Sequence, residues 1–168
     1  MTSKDIKEID AVVEVRPTRL HEYIFDAGMH GRTSGQVLRA FEPVMPYALI
    51  DDRISDLALD FFRDPNAILL QGFARLEVIV KRRSGRSKSG AELFTQAFRG
   101  AGAVLGWPDM DKSEQEGRAE MFISIFKTFR NRRAHNEMES DLEADLVEFL
   151  SLNTLYRLER TATELAAQ

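Results

Sequence analysis

Residues 113–135 read SEQEGRAEMFISIFKTFRNRRAH. Met121, Phe122, Ile125, Phe126 and Phe129 recur at helical spacing, which predicts an amphipathic helix with one apolar stripe. Ser113 and Glu116 have the spacing of a capping box and mark where that helix opens. The stripe runs straight into Arg130-Asn131-Arg132-Arg133-Ala134-His135. A guanidinium is a rigid fork of donors matched to phosphate oxygens, and an imidazole gives and takes protons near neutrality. Arg130 and His135 together suffice to cleave RNA without a metal. An Arg and a His at a helix end also serve commonly as favourable charges at the negative end of the helix dipole.

Outward from this stretch the chain reads as helical. Asp64-Pro65 supplies an N-cap and a proline at the first helical position, followed by Ile68, Leu69, Phe73, Leu76, Ile79 and Val80 at helical spacing. That helix is expected to end near Lys81 to Ser84. Residues 84–90 have the composition of a flexible connector, and Ser89 with Glu92 predicts a capped helix carrying Leu93, Phe94, Ala97 and Phe98. Gly100 to Pro108 breaks it. Ser140 and Glu143 give a third capping box for a last helix over roughly 141 to 166, with Leu142, Leu146, Phe149, Leu150, Leu155, Leu158, Ala162 and Leu165.

The expected fold class is therefore all-α, a four-helix bundle over residues 51–168. Asp51 or Asp52 is a candidate cap for a further short helix with Ile54, Leu57, Ala58 and Phe61. Residues 1–50 form an N-terminal extension. Its Val-rich run at Ala11 to Val15 is compatible with a short strand or an arm, and a helix around Gln36 to Phe41 is expected before the break at Pro43 and Pro46.

The chain has 168 residues, 43% of them hydrophobic, a net charge of −4, no Cys and three His, namely His21, His30 and His135. Such content suffices for a real core. No disulfide, zinc-like ligand cluster or cofactor is implied. No apolar run has the length of a membrane span and the N-terminus lacks the order of a signal peptide, so the cytoplasm is the expected location. Charge is uneven: residues 65–133 carry 13 basic and 7 acidic side chains, whereas residues 134–168 carry 2 and 8. Lys81, Arg82, Arg83, Arg86 and Lys88 form one basic cluster, and Lys127, Arg130, Arg132 and Arg133 a second. Phosphate contacts of this kind give nucleic-acid binders their affinity, although a basic loop is equally well a solvated surface.

Arg130-Asn131, three residues and His135 resemble the Arg-polar-x-x-x-His signature of the HEPN superfamily, and the surrounding sequence is similar to its Ymh-type bacterial branch. The likeness runs from about Asp64 to the C-terminus. It includes Leu76-Glu77, Gly90 to Phe94, Ala97-Phe98 and Phe126 to Asn136, with Arg132 where many relatives carry Pro. The resemblance implies a metal-independent endoribonuclease whose composite site is shared by the motif helices of two protomers, in a defence or toxin–antitoxin setting. His135 would move the proton of the RNA 2′-hydroxyl, Arg130 would stabilise the phosphorane, and Asn131 would orient the phosphate or His135.

Arg132, Arg133, Lys127, Lys81, Arg82 and Arg83 are the expected RNA-binding residues, and Glu77 is a candidate to orient His135. The expected partners are RNA, a second copy of the chain and an antitoxin or defence protein, with no membrane. On one regular helix, residues five apart diverge by roughly 140°, so Arg130 and His135 cooperate only if the backbone departs from α-helix or two copies meet. Some HEPN toxins carry a modifiable Tyr two residues after the His, where this chain has Glu137. The rival expectation is a non-catalytic HEPN-like dimerisation or partner-binding module, and a third is a helical adaptor or antitoxin.

Overall fold

The computed structural model describes residues 43–130, 133 and 141–165. They belong to the second of two compact units, Pro43–Gln168, the first being Met1–Glu42. The expected strand at Ala11 to Val15 and helix at Gln36 to Phe41 lie outside the described residues, as do Asn131, Arg132 and His135.

Each helix begins where a side chain satisfies the orphan backbone donors of its first turn. Asp51 accepts from Arg53 N at 3.1 Å and opens a 3₁₀ turn, Asp52–Ile54, which leads into α1, Ser55–Asp60. Asp64 accepts from Ala67 N at 3.0 Å and Pro65 takes the first position of α2, Pro65–Ser84. Gly85, with φ 65°, ends that helix in the left-handed conformation that glycine adopts without steric cost.

Two capping boxes are corrected. The Ser89 side chain makes no cap bond to α3, Gly90–Phe98, and instead accepts from Lys81 Nζ at 2.7 Å. The helix α4, Lys112–Ile125, is capped by Asp111, which accepts from Glu114 N at 3.0 Å, rather than by Ser113. A carboxylate two residues earlier outcompetes the serine because a charged acceptor bonds more strongly to backbone N–H. The final helix α5, Leu142–Thr161, has Asp141 as its cap.

The helix α5 stops short of the expected 166. Ala162 is extended, and β2, Thr163–Glu164, pairs antiparallel with β1, Leu105–Gly106. Leu165 N donates to Val104 O at 2.9 Å, so the residues after α5 clasp the loop before α4. Trp107, 3% exposed, completes the clasp by donating to Leu158 O and Thr161 Oγ1.

The helices α2, α3, α4 and α5 form the expected bundle, with α3 against α4, α2 against α5, and the two pairs joined through α2–α3 and α4–α5 contacts. Phe73, Phe94, Phe98, Phe122 and Phe126 fill its centre, Phe94 and Phe126 with ring centroids 4.2 Å apart. A Cβ at Gly72 would stand 2.5 Å from Leu152 Cδ2, so glycine is what lets α2 and α5 approach there. The buried Tyr156 hydroxyl donates to Gly72 O at 2.8 Å, and burial raises its pKa well above that of an ordinary phenol. Among the described residues no helix is long and apolar enough to cross a membrane.

Candidate functional site

The helix α4 does not run regularly into the Arg-rich motif. From Phe126 to Arg130 the backbone widens into a π turn. Such turns bond i to i+5 and occur frequently at functional sites. They also bring residues five apart closer to one face than the α-helical geometry assumed from the sequence. Phe126 stays in the core at 0% exposure while Arg130 emerges at the surface edge, its side chain 36% exposed.

Arg130 sits over α2. Its Nε lies 3.8 Å from Oε1 of Glu77, whose side chain is only 10% exposed, and Lys81 Nζ lies 3.9 Å from the other carboxylate oxygen. Glu77, expected to orient His135, thus faces Arg130. A buried carboxylate held between two cations is compensated for its desolvation by Coulomb attraction. One side of the guanidinium is directed at Glu77, and the accessible part remains available to an anion.

Arg133 is a correction. Expected at the surface against a flanking phosphate, it is 4% exposed and helical. Its Nε donates to Glu148 Oε1 at 2.7 Å, its Nη1 to Asn66 Oδ1 at 3.1 Å, and its Nη2 to Asp145. Burial works against this charge, but bonds from the two carboxylates outweigh it and raise the guanidinium pKa further. Arg133 therefore fastens the motif to α5 and to the start of α2. Asp145 and Glu148 were missed in the sequence, though a signal existed: both fall at core-facing helical positions beside Leu146 and Phe149.

Arg83 is a second correction. It donates to the Glu159 carboxylate, to Glu159 O at 2.7 Å and to Ala162 O, capping the end of α5. Arg53 reaches the same fully buried Glu159, and Asp51 joins through Arg53 and Arg160. Arg86 leaves the basic cluster to donate to Gly102 O at 2.9 Å, and Lys88 pairs with Glu92 at 3.1 Å. That leaves Arg82 and Lys127 exposed, without an ion-pair partner among the described residues. Arg82, Lys81, Lys127 and Arg130 keep the geometry of a phosphate-facing set.

No curated protein and no solved structure matches the chain. A family model described as "Protein of unknown function (Hypoth_ymh)" matches residues 65–157, from the first turn of α2 to the last turns of α5. Since that match takes in more than half of the sequence and the whole bundle, the chain belongs to the Hypoth_ymh family.

Proposed function

We propose that the protein is a metal-independent endoribonuclease of HEPN type. The observation that carries this reading is Arg130, held by Glu77 at the end of a π turn and still partly open to solvent. In this reading the RNA 2′-hydroxyl attacks its own phosphodiester, His135 takes and returns the proton, and Arg130 stabilises the charge that develops on phosphorus-bound oxygen. Asn131 orients the phosphate or the imidazole. A second copy contributes the complementary pair across a twofold axis. Products are a 2′,3′-cyclic phosphate and a 5′-hydroxyl, and DNA resists cleavage because it lacks the nucleophile. The setting is a cytoplasmic defence or toxin–antitoxin response, with an antitoxin or defence protein as partner.

The test is incubation of the purified protein with labelled RNA and DNA in chelator. RNA cleavage lost in His135→Ala and Arg130→Ala supports the reading, and equal cleavage by all three proteins overturns it. A non-catalytic binding module is the second reading. It is favoured by the structural engagement of Arg83 and Arg133, and it is the outcome if wild type binds RNA or protein without cutting.

A further inference from the structure

The outward face of α5 carries a pattern that the bundle does not use. Glu143, Val147, Leu150, Thr154 and Arg157 follow one another at alternating four- and three-residue spacing, the repeat of a helix–helix seam. Val147 is 56% exposed, and Ala144 and Ser151 beside it are small. Along this face runs a cleft of about 540 Å³ lined by Leu49, Arg118, Leu150, Thr154 and Leu158. Leu49 is 58% exposed at its rim, and Met121, one turn beyond Arg118 on α4, is 40% exposed. Contiguous apolar surface of this kind, bordered by charge, marks an interaction site.

We propose that a second copy of the chain docks here, the two α5 helices lying antiparallel across a twofold axis near Leu150. The charge pattern selects that occupant. Glu143 and the capping Asp141 make one end of the face acidic and Arg157 makes the other basic. Neither Glu143 nor Arg157 has an ion-pair partner among the described residues. A twofold axis near Leu150 places each Glu143 beside the partner's basic end, whereas a parallel pairing sets like charges together. Antiparallel helix dipoles favour the same arrangement. The two charged positions are about 21 Å apart along the helix, enough for an isologous contact of ordinary size when the cleft receives the partner's side chains. This surface is separate from the one where Arg130 meets Glu77, and the inference holds whether or not RNA is cleaved.

Sedimentation analysis of the full chain tests it, using Glu143→Arg, Arg157→Glu and the double variant, each checked for an unchanged circular dichroism spectrum. Wild type is expected to dimerise, each single reversal to raise the dimer Kd about tenfold or more, and the double variant to recover most of the loss. A second variant, Leu150→Glu, should abolish the dimer. A monomeric wild type, single reversals without effect, or a double variant no better than the singles overturns the proposal.

Discussion

Arg130 Nε and Glu77 Oε1 stand 3.8 Å apart, joining the end of the π turn to a buried carboxylate on α2. This distance is longer than a hydrogen bond, so Glu77 acts through charge and position rather than by gripping the guanidinium. Glu77→Gln keeps the shape and removes the charge. The fold should persist, and RNA cleavage should fall by up to about 100-fold through kcat. Single-turnover assays against thermal denaturation separate the two effects. Unchanged turnover would detach Glu77 from the site.

Arg133 lies between Asp145 and Glu148 with 1% of its side chain exposed. Arg133→Met strips the cation from two buried carboxylates and should cost about 3 to 5 kcal/mol of stability. Arg82→Ala, at an exposed position, should stay within about 0.5 kcal/mol. Urea denaturation of both variants is the check, and equal midpoints would mean that Arg133 is no anchor.

The same contrast separates binding from folding within the basic cluster. Arg82→Ala should weaken binding to single-stranded RNA and reduce the slope of log K against log salt by about 0.7. Arg83 donates to Glu159 instead, so Arg83→Ala should lower the melting temperature without changing that slope per molecule folded. Fluorescence titrations at several salt concentrations measure both.

Stability should be lost at the acid end through Asp51 and Asp56. Burial raises the Asp51 pKa, but bonds and charge from Arg53 and Arg160 more than reverse it, and Arg75 lowers that of Asp56. Both therefore lie below the ordinary value of 3.8. A lowered carboxylate pKa contributes stability above the unfolded value, so its contribution is complete above about pH 5 and declines as pH falls through the acid range. Tyr156, raised by burial, acts in the opposite direction, and its contribution is lost as pH climbs above its unfolded value of 10.0. Thermal melts across pH should fall at both ends, and Asp51→Asn should flatten the acid limb.

The bundle was legible because its cores are written at helical spacing: Ile68 to Val80, Leu93 to Phe98, Met121 to Phe129 and Leu146 to Leu158 all follow it. Boundaries were less so. Ser113 matched a capping box, yet Asp111 was the stronger acceptor, and Leu165 fitted a helical stripe but pairs across the clasp with Val104. In the site, the sequence pointed to Arg130 and Glu77 as functional residues without saying which partner the carboxylate faces. Arg83 and Arg133 read as surface charge because nothing local distinguishes a solvated arginine from one neutralised by acids 76 or 15 residues away. The π turn left no local signature, since its backbone bonds depend on how Phe126 packs among Phe73 and Phe94.

That wide turn also sets the phase of the chain beyond it. Removing any one residue between Phe126 and Arg130 would let the backbone relax to ordinary i to i+4 bonding, and each residue so lost rotates the downstream segment by about 100°. Evolutionary gain or loss of a single codon at this point is therefore enough to swing an arginine off its carboxylate and unhook the next one from α5, while leaving the hydrophobic centre intact.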